Sequence, residues 1–262
     1  MWNGKKALIG VIHLPALPGA PRSTLPMSAI RAQVARDAEK LAAAGFDGVI
    51  VENFGDAPFL KCPAAPETLA CMAVVADTAR AASGLPLGVN VLRNDALGAL
   101  GVAVATGARF IRVNVLVGAR VTDQGVIEGD AAALLRKRKA LGANDIEIIA
   151  DVDVKHSSPL GEGSVERTLD EARDAVDRAL ADALIVTGSH TGGAPDAALL
   201  ASLRAAMPST PLWIGSGVRA DTLGAWLQHA DAVIVGSALR ADGRAGGPVD
   251  LQRATEFVRA RP

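Results

Sequence analysis

The sequence predicts an α/β fold: a single (β/α)8 barrel domain spanning residues 1–262. Three observations predict it. Short apolar runs recur seven or eight times along the chain, and most end on a polar residue or a glycine. Stretches of helical periodicity separate these runs, as expected for parallel strands joined by crossover helices. The polar residues collect at the C-terminal ends of the runs, which is where such barrels keep their chemistry. An open doubly wound sheet is the rival architecture. Eight strands of one hand, each with its crossover, close into a barrel more economically.

The first strand is Ala7 to His13, and Pro15 and Pro18 keep the following loop out of helix or central strand. Helix one runs from Ser28 to Ala44, with Ile30, Val34, Ala38 and Leu41 on one face, and stops at Gly45. Strand two, Gly48 to Glu52, leads into a long mixed loop, Asn53 to Phe59. Strands three and four lie near 87–91 and 110–115, separated by an alanine-rich helix ending at Gly107. Gly118 to Gly129 reads as the longest loop, followed by a basic helix carrying Arg136, Lys137, Arg138 and Lys139. Strands five to eight fall near 146–154, 183–187, 212–215 and 232–236, and a last helix runs from Val249 to Ala260. No linker, charge block or low-complexity segment divides the chain.

Bulk properties narrow the function classes. The chain is 50% hydrophobic and 21% charged, which is enough apolar material for a large core and too much for disorder. Lys plus Arg number 27 against 28 for Asp plus Glu, a net charge of −1 that gives no basic footprint for nucleic acid. There is no Tyr to act as a stacking platform for bases. Every apolar stretch is broken before the ~18 residues a membrane span needs. The start reads as strand one rather than a signal peptide, and Cys62 and Cys71 match no metal or redox spacing, so a cytoplasmic location is expected.

Alternation places the chemistry. In strand five, Glu147, Ile149, Asp151, Asp153 and Lys155 share one face opposite Ile146, Ile148, Ala150, Val152 and Val154. The apolar face is expected against the helices, so the charged face points into the barrel. Arg112 and Asn114 oppose Ile111 and Val113 in strand four, Glu52 opposes Val51 in strand two, and Asn90 and Asn94 share a phase after strand three. His13 ends strand one. Asn53 and Thr187, at the ends of strands two and six, complete the candidate substrate-binding set of Asn90, Asn94, Arg112, Asn114 and Asp151. Burying such groups is costly unless they pair with each other or with a ligand. A self-satisfied structural network, such as Arg112 with Asp151, is the alternative. Purely structural barrel layers are usually Val, Ile and Leu, which favours a functional one.

Glu52 and His13 are the general acid/base candidates by type and place, with Asp153 sharing proton management. Lys155 has two readings: a Schiff-base amine, or a cation that holds a carboxylate, phosphate or enolate oxygen. The adjacent aspartates favour the second. Gly215-Ser216-Gly217 ends strand seven and Gly236-Ser237 ends strand eight. These are the usual phosphate loops of such barrels, with anion-binding N–H groups expected at the following helix starts and added charge open from Arg219 or Arg240. No cofactor is expected. A divalent metal through Asp151, Asp153 and His156 or His190 remains an open alternative, although His156 is out of phase with the aspartates. His190 reads rather as a loop residue near substrate.

Several long segments together carry a resemblance. They are residues 9–19 (Ile9 to Gly19, including His13-Leu14-Pro15), 51–59 (Val51-Glu52-Asn53-Phe54-Gly55-Asp56 onward), 122–129, 150–156 (Ala150-Asp151-Val152-Asp153-Val154-Lys155-His156) and 186–188. The chain resembles the BtpA/SgcQ family from strand one to the last helix. The resemblance implies a fold like that of phosphate-binding barrels. It also implies two lines of function, one branch being named for photosystem I biogenesis and another lying among sugar-phosphate proteins with a nucleosidase label. The expected function is therefore a soluble enzyme acting on a phosphorylated sugar or nucleotide-derived sugar phosphate by lyase, epimerase or N-glycosidase chemistry. A non-enzymatic accessory factor in photosystem I biogenesis is the alternative. The expected partner is a phosphorylated small molecule, with self-association through an unassigned face left open.

Overall fold

The computed structural model describes residues 4–188, 193 and 196–262. Eight parallel strands close into a barrel: β1 (Ala7–His13), β2 (Gly48–Glu52), β3 (Leu87–Asn90), β4 (Phe110–Val113), β7 (Glu147–Val152), β9 (Ala183–Thr187), β10 (Leu212–Gly215) and β11 (Ala232–Val235). Each is followed by a helix on the outside: α1 (Met27–Ala44), α2 (Pro66–Ser83), α3 (Ala96–Thr106), α4 (Ala131–Ala140), α5 (Val165–Arg173), α6 (Ala197–Ala206), α7 (Leu223–Leu227) and α8 (Leu251–Arg259). The barrel is the predicted one. Helix α1 buries Ile30, Val34, Ala38 and Leu41, the predicted face, and Gly45 ends it with a left-handed φ of 92°.

Two apolar cores follow from strand alternation. Ala7, Ile9, Val11, Ile50, Phe110, Ile149, Ile185, Trp213 and Ile234 fill the barrel, whereas Leu8, Val49, Val89, Ile111, Ile148, Leu184, Ile214 and Val233 pack under the helices. Phe110 meets Trp213 edge-on at 5.4 Å inside the barrel. Phe110 also fills the space above Gly88, where an added Cβ would stand 2.1 Å from the ring. Moving up each strand by two residues from this apolar plug reaches His13, Glu52, Asn90, Arg112, Asp151, Thr187, Gly215 and Gly236. The lower barrel is thus closed by hydrocarbon and the polar layer begins directly above it.

The structure corrects three expectations. The stretch 118–129 is not an irregular loop but a hairpin, β5 (Ala119–Thr122) and β6 (Gly125–Glu128), paired antiparallel. Strand β7 stops at Val152, short of the expected 154. Asp153 and His156 have left-handed φ of 50° and 56°, and the chain leaves the barrel to form β8 (Ser157–Pro159) against β5. The alternation that carried Asp151 inward therefore does not extend to Asp153. Lastly, the polypeptide after β10 and β11 first enters 3-10 turns, Ala220–Thr222 and Ser237–Leu239, so the N–H groups expected at helix starts belong to 3-10 turns that precede α7 and α8. No helix among the described residues is long and apolar enough to cross a membrane.

Candidate active site

At the mouth, Arg112 organises the polar layer. Its Nε and Nη2 donate to the two carboxylate oxygens of Asp151, each at 3.0 Å, and its Nη1 donates to Glu52 Oε1 at 3.0 Å. The three side chains are 3%, 0% and 5% exposed, so this is a desolvated ion chain rather than a surface pair. Asn114 Nδ2 adds a 2.7 Å bond to Asp151 Oδ2, and Asn90 Nδ2 a longer 3.4 Å bond to Glu52 Oε1. Burial opposes charge on Glu52, yet Arg112, with His13 and Lys155 adding to it, holds the carboxyl below its ordinary value. Burial also opposes charge on Arg112, and Asp151 and Glu52 together reverse that and fix its proton. Glu52 keeps its second oxygen, Oε2, without a hydrogen bond among the described residues.

Above this chain lies a pit of about 30 Å³, lined by Val11, His13, Glu52, Arg112, Lys155, Gly215, Ser216, Ile234, Gly236 and Ser237. It has room for one small polar group. Lys155 enters it from beyond β7, its backbone N–H fixed to Thr187 Oγ1 at 3.1 Å. Burial, and then Arg112, lower the Lys155 ammonium from 10.5 to about 8. Among the described residues no hydrogen bond or ion pair takes up that ammonium. Burial lowers His13 from 6.5 to about 3, so its ring is neutral at every physiological pH. Its ring lies 4.7 Å from Phe54, and an added Cβ on Gly236 would stand 2.7 Å from its Cε1. Ser216 has a left-handed φ of 119° and donates through Oγ to Gly193 O at 3.1 Å.

The predicted site residues divide into those that gather here and those that do not. His13, Glu52, Arg112, Lys155, Gly215, Ser216, Gly236 and Ser237 line the pit, with Asn90, Asn114, Asp151 and Thr187 immediately behind. Gly217 is not in its lining. Asn53 and Asn94 are buried braces. Asn53 bonds both backbone groups of Leu92 and the Asp56 carboxylate, and Asn94 bonds both backbone groups of Val115. Their amides are engaged in holding loops together, away from the pit lining. Asp153 turns away, half-exposed, to pair with Arg120 beside Glu171, on a separate cavity of about 810 Å³. The metal alternative does not assemble: Asp151 belongs to Arg112, Asp153 lies elsewhere, and among the described residues no group of three ligands is suitably grouped. His190 lies outside the described residues.

Sequence reasoning undervalued two arginines. Arg240, expected only as a source of added charge for an anion, is 1% exposed, with Nη2 donating to Val11 O at 2.8 Å and Nε to Gly246 O at 2.9 Å. Arg219 is the solvated one, paired with Asp221 at the surface. Arg93 is buried as well and donates to Lys155 O at 2.8 Å. Nothing in their sequence neighbourhoods marks them, because neither lies on an alternating strand.

The family model of the BtpA family matches residues 4–261. The chain belongs to the BtpA family. It is 42% identical over 253 residues to the photosystem I biogenesis protein BtpA of Synechocystis sp., covering 97% of this chain and 87% of that one. It is 44% identical over 254 residues to an uncharacterized protein of Thermococcus kodakarensis, covering 97% and 94%. Among solved structures it resembles N-(5'-phosphoribosyl)anthranilate isomerase from Pyrococcus furiosus, with a TM-score of 0.59 at 13% identity, covering 97% of this chain and 98% of that one. That likeness shows the barrel fold that this BtpA family member shares.

Proposed function

We propose that the barrel mouth is the active site of an enzyme acting on a phosphorylated sugar or nucleotide-derived sugar phosphate. The phosphate is held by the turns at Gly215-Ser216 and Gly236-Ser237, with Gly217 shaping the first, and the reacting carbon lies over Glu52 and Lys155. One observation carries this reading. Lys155 is a desolvated cation that no hydrogen bond or ion pair takes up among the described residues, in a layer where Arg112 is already bonded to Glu52 Oε1 and Asp151. An anionic ligand supplies what the layer lacks.

Lyase or epimerase chemistry fits this set better than glycoside cleavage. Glu52 stays ionised and offers Oε2 as the base that removes a proton beside a carbonyl. The Lys155 ammonium then stabilises the oxygen on which negative charge develops. Asn90 and Asn114 orient the hydroxyls. With Lys155 acting as a cation, turnover falls as pH rises through about 8; a Schiff-base amine would instead gain activity over that range. Thermal-shift screening of sugar phosphates beside their unphosphorylated sugars tests the ligand class. Saturation near 100 times Kd stabilises by about 2.7 kcal/mol, equivalent to a Tm rise of roughly 5 °C or more. If no phosphorylated compound moves the Tm, and Ser216→Asp changes nothing, the proposal fails.

A second reading, an accessory factor in photosystem assembly, is favoured by the name of the Synechocystis relative and by one surface. Leu97 and Val104 of α3 and Val74 of α2 are each about 40% exposed, on a helix α3 that carries no charged residue. In a strain whose own relative is replaced by this chain, photosystem I content would then depend on Leu97 and Val104. It would be indifferent to Glu52→Gln and Lys155→Met.

A further inference from the structure

We propose that Arg240 is a positioning residue that locks His13 in its Nε2–H tautomer. The mouth then presents a neutral imidazole donor beside the Lys155 ammonium, a two-donor cradle for one substrate oxygen. The sugar-phosphate reading is needed only to say whose oxygen that is; the lock stands on geometry. His13 Nδ1 faces two groups, the Gly246 backbone N–H at 3.4 Å and Arg240 Nη2 at 3.5 Å. Both are obligate donors, since neither an amide N–H nor a guanidinium can accept. Nδ1 must therefore present its lone pair. The one proton of the neutral ring is left on Nε2.

The lock is built rather than incidental. Arg240 ties Val11 of β1 to Gly246 of the loop after β11, and Gly246 in turn donates to the ring that Arg240 also faces, so Arg240, Gly246 and His13 close a small circuit. Phe54 and the bare Cα of Gly236 leave the imidazole a single seat on the wall of the pit. Among the described residues Nε2 makes no hydrogen bond. The charges facing the ring are Glu52, which favours an imidazolium, and Arg240, Lys155 and Arg112, which oppose it along with burial. A protonated Nδ1 would also point at a guanidinium. A neutral N–H is suited to polarising a carbonyl or steadying an enolate or phosphate oxygen without first giving up a charge.

Nitrogen-15 NMR of the ring nitrogens in the full-length, histidine-labelled protein tests this, with His13→Gln assigning the signals. The expected result is one bare nitrogen, Nδ1, and one protonated nitrogen, Nε2, unchanged from pH 8 to pH 5. An Nδ1–H pattern, or an imidazolium appearing near pH 6, overturns the proposal. Arg240→Gln is expected to mix the tautomers and raise the pH at which His13 titrates. Arg240→Lys cannot bond Val11, Gly246 and His13 together and is expected to show smaller mixing. An unchanged tautomer in whichever of the two folds removes Arg240 from the role. Inorganic phosphate added to the native protein should shift the Nε2 signal. No shift overturns the cradle as an anion site and leaves the tautomer result to stand or fall separately.

Discussion

Asp151 and Asp153 are neighbours in phase along one run, and the structure gives them opposite weights. Asp151 is 0% exposed in its side chain and accepts three bonds, two at 3.0 Å from Arg112 and one at 2.7 Å from Asn114. Replacing it by Asn keeps the shape, removes the charge and turns an amide N–H₂ against a donor. Arg112 is left with Glu52 as its one carboxylate partner among the described residues. Breaking a buried pair on one side costs about 3–5 kcal/mol, because the remaining charge stays desolvated. At about 2–3 °C per kcal/mol for a chain of this size, Asp151→Asn should lower the Tm by roughly 10 °C in calorimetry without ligand. Asp153→Asn is the control. Its carboxylate is 48% exposed, so losing the pair with Arg120 should cost under ~1 kcal/mol. If Asp151→Asn falls within ~1 kcal/mol of the native protein, or Asp153→Asn matches it, the claim that Arg112 and Asp151 form the desolvated centre of the mouth is wrong.

Four more outcomes are expected. Lys155→Met removes a largely desolvated cation that has no ion-pair partner among the described residues, and should stabilise the fold by roughly 1–3 kcal/mol in urea denaturation while abolishing turnover. Acid should weaken the protein from just below the ordinary histidine range, through His13. The folded His13 refuses a proton until about pH 3 whereas an ordinary histidine takes one at 6.5, so stability is full above 6.5 and is lost as pH falls toward 3. The loss is about 2 kcal/mol by pH 5, His13→Gln should flatten it, and Glu52, whose pKa is lowered, adds its own loss only at lower pH. Gly236→Ala should cost about 1–3 kcal/mol and disturb His13, whose Cε1 the new methyl would meet at 2.7 Å; a native melting curve with an unmoved His13 NMR signal would count against the single seat. Calorimetric binding of a phosphorylated ligand at pH 8 in buffers of different ionisation enthalpy should reveal uptake of up to about half a proton as Lys155 regains its charge, fading by pH 6.5.

The barrel was legible because strand alternation and strand ends are local properties. His13, Glu52, Asn90, Arg112, Asp151, Thr187, Gly215 and Gly236 each lie one pleat above an inward apolar or small residue, and period two is enough to place them. That rule fails wherever the strand ends first. Nothing in Asp151-Val152-Asp153 announces that the backbone turns left-handed at Asp153, since the chain there turns toward β8, which pairs with the sequence-distant β5. Asn53 and Asn94 were misplaced for a related reason. An amide that bonds both backbone groups of a distant residue looks in sequence like one that waits for substrate. Arg240 was hardest of all, because its burial depends on Val11 and Gly246, contributed by opposite ends of the chain.

The choice between a structural and a functional polar layer turns on Lys155 rather than on the ion chain beneath it. Arg112, Asp151, Glu52 and the two asparagines form a network that satisfies nearly all its members and on its own is compatible with either reading. A network serving only the fold gains nothing from another cation beside Arg112, and burial together with that guanidinium already drives the Lys155 proton toward release. Asp153, the nearest carboxylate in sequence, is turned outward to Arg120 instead of neutralising it. Two further cations, Arg93 and Arg240, are buried close by, and each is committed to backbone carbonyls rather than to a carboxylate partner. Among the described residues the mouth therefore holds more buried positive than negative charge, with the Lys155 ammonium unbonded at the pit, an arrangement that costs stability in the free protein and that the proposed anionic ligand would offset.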